Sequence, residues 1–173
     1  MQAKKVSESE VVMTHRPLPQ DANPAGYVHG GVILKHIDLA GAVAAMRHCR
    51  TPVVTASIDR MDFRAPVNVG ELMLLKASVN LTGGTSLEVG VRVEAENLLT
   101  GEVRHAASAY LTFVAMGPDR KPVAVPPLLC ETPTHERRCV EARRRRELRR
   151  EERRAERDAQ AAQHCTCDDE PVV

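Results

Sequence analysis

Between Ser86 and Glu96 apolar and polar positions alternate without a break. Leu87, Val89, Val91, Val93 and Ala95 fall on one side, and Glu88, Gly90, Arg92, Glu94 and Glu96 on the other. Successive side chains of a strand point to opposite faces, so this period of two predicts a half-buried β-strand. Val53 to Phe63, Glu71 to Leu81 and Glu102 to Met116 read the same way; in the last, Tyr110, Thr112 and Val114 oppose Leu111, Phe113 and Ala115. Gly83-Gly84 and Asn97 to Gly101 lie between these runs and have the residue types of hairpin turns. A shorter strand is expected over Val6 to His15. It is followed by a loop, Arg16 to Val28, holding Pro17, Pro19, Pro24 and Gly26.

Gly30 to Cys49 breaks the alternation. It is rich in Ala, Leu, Ile and Val, lacks Pro, and ends in Arg47, His48 and Arg50, which suit the negative end of a helix dipole. Twenty residues make a rod of about 30 Å. The segment is apolar nearly all round and is expected to be buried on most sides. One helix cannot cover both faces of a sheet. The order strand, long helix, four strands therefore predicts an α+β domain, an antiparallel sheet wrapped around one buried helix.

Composition adds a boundary. Hydrophobic residues make up 43% of the 173 positions, but aromatics only 2% and Trp none, so the core must be built from Val, Leu, Ile, Ala and Met. The net charge of +1 argues against a nucleic-acid binder, yet Glu136 to Asp158 is a dense Arg/Glu block. The chain thus divides into a domain over 1–128 and a charged C-terminal helix and tail over 129–173. With so few apolar residues the helix is expected to be solvated, supported by pairs such as Glu141–Arg145, Glu147–Arg150 and Glu151–Arg154. Five cysteines at irregular spacing are no disulfide framework, and no apolar run is long enough for a bilayer. A cytoplasmic protein without membrane insertion is expected. The tail motif His164-Cys165-Thr166-Cys167-Asp168-Asp169 is a weak metal signal.

The chemistry concentrates at the start of the helix. Gly30 and Gly31 open it, and the first N–H groups of a helix lack internal partners and point past its end. They either polarise a carbonyl there or form an ordinary loop-to-helix junction. Asp38 lies between Ile37 and Leu39, with Leu34, Lys35, Gly41 and Ala42 as helical neighbours. A carboxylate on that stripe needs a partner, such as Lys35, or a task. Asn23 sits before Pro24 and by itself reads as a turn residue. His29 is expected to cap or pack at the helix start, and His36 to face solvent or a subunit contact. Cys49, at a helix C-terminus, is no nucleophile.

Taken together, Asp21-Ala22-Asn23, Gly26, His29-Gly30-Gly31 and Asp38 resemble the signature of the hotdog-fold acyl-CoA hydrolases, bacterial short- and medium-chain and animal cytosolic long-chain or brain-type. Thr55-Ala56-Ser57, Asp62-Phe63, Pro66, Val69-Gly70-Glu71, Thr85 to Val89, Ala107 to Tyr110 and Pro122 to Pro126 extend the similarity over Ser7 to Pro127. The resemblance implies a thioesterase that cleaves fatty acyl-CoA to fatty acid and CoA. Asn23 and Asp38 fall on its two catalytic positions, Asp38 as general base or nucleophile and Asn23 positioning water or thioester. It implies contacts to CoA from Arg64, Thr85 and Ser86. It implies no metal and no cofactor, because coenzyme A is part of substrate and product. It also implies at least a homodimer, and a homohexamer as a trimer of dimers, with Asn from one chain and Asp from the other in each site. Two alternatives stand beside it: a hotdog hydratase or dehydratase, and a non-catalytic acyl-CoA sensor.

Overall fold

The computed structural model describes residues 1–165. Its strands are β1 (Lys4–Lys5), β2 (Val11–His15), β3 (Val53–Phe63), β4 (Leu72–Thr82), β5 (Ser86–Glu96), β6 (Val103–Ala115) and β7 (Leu128–Leu129). The helices are α1 (Gly30–Cys49) and α2 (Pro133–Cys165). Five strands form one antiparallel sheet in the order β2-β4-β5-β6-β3.

α1 crosses one face of this sheet. The alternating apolar rows meet it: Met73, Leu75, Ala77 and Val79 from β4, Leu87, Val89, Val91 and Val93 from β5, Ala109, Leu111 and Phe113 from β6. From the helix come Ile33, Ile37, Ala40, Ala44 and Ala45. Small residues bring the helix close to the strands. A Cβ on Gly41 would stand 3.0 Å from the Phe113 ring, so this glycine admits the one large aromatic of the core. Burying Phe113 completely contributes roughly 2 kcal/mol.

The first strand divides in two. Val6 is buried and its carbonyl accepts from Ser9 and Glu10, which turns the chain between β1 and β2. β1 then pairs in parallel with β7 as a separate two-stranded sheet, in the register Lys4 to Leu128 and Lys5 to Leu129.

Two expectations need correction. α1 is not buried on most sides. Leu39 and Met46 are 44% and 42% exposed, on a flank beside the edge strand β3, whose Val54, Ile58 and Phe63 are also open. The eleven residues of β3 thus leave one edge of the sheet unpaired among the described residues, beside an apolar flank. Nor is α2 wholly solvated. Its first half lies on the outer face of the sheet, with Cys139 and Ala142 buried against Leu81. Arg145 donates to both carboxylate oxygens of Glu88 from Nη2 and Nε, at 2.6 and 3.3 Å, and stacks 3.7 Å over the Tyr110 ring. Arg149 donates to Asp59 and, at 2.6 Å, to Thr112. Glu141 pairs with Arg137 rather than Arg145, because Arg145 is engaged by the sheet. Beyond this contact the residues of α2 from Arg150 to Ala161 are exposed. The Cys-Thr-Cys tail motif lies outside the described residues, save for the backbone of its start.

Candidate active site

His29 caps α1. Its backbone is extended, and its Nδ1 accepts from the Gly31 N–H at 2.9 Å. The capping role matches the sequence, but it removes Gly31 from the pair of free amides expected at the helix end. Gly30 keeps its N–H without a partner among the described residues, and Phe63 packs against it so closely that a Cβ would meet the ring at 3.2 Å.

Asn23 lies in the loop before the helix. Its Oδ1 accepts from the N–H of Ala25 and of Tyr27, at 3.0 and 3.2 Å. With the oxygen committed to the turn, the amide nitrogen is the end left to donate. Asn23, Tyr27, Gly30, Ile33, Phe63 and Arg64 line an open cleft of about 400 Å³. The Arg64 backbone is fixed to Ala106, while its side chain stands exposed at the rim.

Asp38 sits elsewhere, eight residues and roughly 12 Å along α1. It does not pair with Lys35. Thr55 of β3 donates to Asp38 Oδ1 at 2.6 Å, which leaves Oδ2 open. The Thr55–Asp38 hydrogen bond is a contact of the candidate site that the residue pattern did not single out. The available signal was a polar residue on the row of β3 that faces the helix.

Sheet register shows how far apart these groups are. Thr55 is level with Phe113 and Leu87, whereas Phe63 is level with Ala107 and Val93. Six residues of β5 separate the two rows, roughly 20 Å. Within one protomer, Asn23, Gly30 and Arg64 occupy one end, and Asp38 lies toward the other with Thr55. Thr85 and Ser86 belong to the Thr55 end, but Ser86 projects to the outer face, beside Arg146 and Arg149 of α2. It is therefore on the side of the sheet away from Asp38.

The cleft loop is locked from below. Glu71 accepts from Asn68 N–H and Nδ2 and from both terminal nitrogens of Arg104, which also donates to Pro66 O. Burial pushes the Glu71 carboxyl up, but the hydrogen bonds from Arg104 and Asn68 outweigh it and hold the group down to about 2. The stability this lends is complete above about pH 4.5 and is lost as pH falls toward 2. Arg104→Met is expected to cost about 2 kcal/mol at pH 7, since it strands a buried carboxylate. Urea denaturation at pH 7 and pH 3 should show the gap between variant and parent narrowing at the lower pH. A gap that ignores pH would mean that Glu71 draws nothing from Arg104.

His36 is half-buried and stacks on His15, with ring centroids 3.8 Å apart. Burial, then His15 and Lys35, pushes its pKa down. Cys49 is buried, which raises its thiol to about 11 and fits an inert role. Among the described residues no cluster of three or more His, Cys, Asp or Glu is placed to hold a metal ion, and no helix is long and apolar enough to cross a membrane.

Residues 25–102 match the thioesterase superfamily. The chain is 42% identical over 125 residues to an uncharacterized acyl-CoA thioester hydrolase, YkhA, of Bacillus subtilis, covering 72% of this chain and 73% of that one. Among solved structures it resembles an apo-hexameric acyl-CoA thioesterase, with a TM-score of 0.85 and 39% identity over 88% of this chain and 97% of the other. It also resembles a Staphylococcus aureus acyl-CoA hydrolase solved with butyryl coenzyme A, coenzyme A and coenzyme A disulfide. There the TM-score is 0.83 and the identity 34%, over 95% and 99% of the two chains. Further structures of the S. aureus enzyme carry alanine in place of a single asparagine, aspartate or threonine.

Proposed function

The chain belongs to the acyl-CoA thioester hydrolases of the thioesterase superfamily, and from that premise we propose that it cleaves fatty acyl-CoA in the cytoplasm at a site shared between two subunits. One observation carries the reading. Asp38 is held at one oxygen by Thr55, with the other oxygen free, while Asn23, which lines the open cleft beside Gly30, lies at the opposite end of the sheet. A twofold axis through the open flank of α1 and the β3 edge exchanges the two ends. It sets Asn23, Gly30 and Arg64 of one subunit against Asp38 and Thr55 of the other. The hexameric relative is in keeping with such dimers assembling as a trimer. The three residues replaced by alanine in the S. aureus relative are spaced along that chain as Asn23, Asp38 and Thr55 are here, which also supports the assignment.

In this reading the thioester carbonyl accepts from the Gly30 N–H, with the helix dipole behind it, and from Asn23 Nδ2. Asp38 Oδ2 removes a proton from water, which adds to the carbonyl, and the tetrahedral intermediate expels CoA thiolate. Alternatively Asp38 attacks directly and water opens the resulting anhydride. Thr55 fixes the carboxylate so that Oδ2 faces the substrate. Arg64 and the Thr85 turn reach the phosphates of CoA from the two sides of the interface.

Sharing has a sharp consequence. Asn23→Ala should lower turnover about 10²-fold, the usual cost of one oxyanion donor. Mixing it with an Asp38→Asn chain, by unfolding and refolding the two together, should restore activity, because each heterodimer rebuilds one intact site. Thiol release from the mixture checks this. If the mixture is no more active than the separate variants, the two residues act within one chain and the shared site is refuted.

A further inference from the structure

Cys130 and Cys139 come together where α2 begins and seats on the sheet. Cys130 follows β7, and Cys139 lies in the second turn of α2. Cys139 is buried in the small cluster with Leu81 and Ala142 that seats the helix, and Cys130 packs against that cluster. Both are free. Cys139 is buried, whereas Cys130 is only part-covered and meets solvent. Neither touches the cleft, the Asp38 pair or the open β3 edge, so the hydrolase chemistry does not use them.

We propose that Cys130 and Cys139 are a dithiol modification site, oxidised by a small-molecule disulfide to an internal disulfide that staples α2 to the sheet. The Cys130 thiolate attacks one sulfur of the oxidant and expels its first thiol, leaving a mixed disulfide on Cys130. The Cys139 thiolate then attacks the Cys130 sulfur and expels the second thiol. Two protein thiols are oxidised to one disulfide, the oxidant is reduced to two thiols, and the two protons end on those leaving thiols. The part-covered cysteine is the entry point and the buried one the resolving group.

The staple has a definite mechanical effect. Beyond Ala142 the grip of α2 on the sheet is ionic and polar, through Arg145 and Arg149. A covalent tie at the base keeps the helix over Glu88 and Asp59 when salt weakens those contacts. It also closes a short loop in the unfolded chain and so restricts the unfolded state. Burial and the neighbouring Cys139 push the Cys130 thiol up, so the exchange quickens as pH rises.

The test uses the full chain with oxidised glutathione as the probe, at pH 8 and under native conditions. Intact mass and a non-reducing digest should show a chain lighter by two hydrogens, with a peptide joining Cys130 to Cys139, reversed by dithiothreitol. The oxidised protein should melt several degrees higher, in high salt as well as low, and Cys130→Ser and Cys139→Ser should each abolish the rise. A lasting glutathione adduct on Cys130 with no internal link would overturn the proposal, as would links only to other cysteines, or no reaction at either thiol. Because the wild-type digest decides the matter, a variant that folds poorly does not blur the result.

Discussion

Asp38→Asn should reduce thiol release about 10³-fold while leaving the fold and assembly intact, the range expected when a general base is lost. The substitution keeps the shape of the side chain and its contact with Thr55 but removes the charge that activates water. Turnover should be measured on acyl-CoAs from acetyl to palmitoyl, since the best substrate of the parent sets the scale. Thr55→Val should be milder, roughly tenfold, because one orienting hydrogen bond is lost and the carboxylate remains. The order of the two effects matters as much as their size. If Asp38→Asn keeps a tenth or more of parental turnover, Asp38 is not the activating group. Turnover in heavy-oxygen water then separates the two chemical routes, for only the anhydride route places label in the Asp38 carboxylate.

Arg145→Met should destabilise the fold by about 3–5 kcal/mol, a loss found when one partner of a buried ion pair is removed. Glu88 is 3% exposed, and Arg145 supplies both of its short contacts to a cation. The next guanidinium, that of Arg149, stands at 3.8 Å and is shared with Asp59 and Thr112. Replacing the pair together, as Glu88→Leu with Arg145→Met, should recover most of the loss, since an apolar pair of similar volume leaves no stranded charge. Urea denaturation of the three proteins measures the terms. A single variant within about 0.5 kcal/mol of the parent, the range of ordinary surface substitutions, would show that α2 does not rest on the sheet in solution.

Local pattern revealed what local physics controls. The strand alternation, the glycine turns and the proline-free apolar helix all stand in the structure at nearly the positions read from the chain. The signature around Asn23, Gly30 and Asp38 pointed to a thioesterase, and the comparisons agree. What escaped depends on residues distant in sequence. Glu88 looked like one more solvent-facing residue of β5, because nothing near it announces Arg145. Thr55 stood only as part of a matching strand segment, with no role of its own, until the helix placed Asp38 beside it. The partial exposure of α1 was hidden for a related reason: apolar residues read as buried, and the pattern does not say whether the same chain or a second one buries them. Gly31 is a smaller case, in which an N–H expected to be free is taken by the imidazole two residues earlier.

The ion network on the outer face also bears on the order of synthesis. Arg145 follows Glu88 by 57 positions, and Arg149 follows Asp59 by 90. A chain emerging from the ribosome presents its N-terminal part first. The whole sheet therefore leaves the exit tunnel while its outer carboxylates still have only water to answer them. Those charges keep the unfinished face wet and discourage nascent sheets from stacking on one another. When α2 arrives it neutralises the same groups and closes the face.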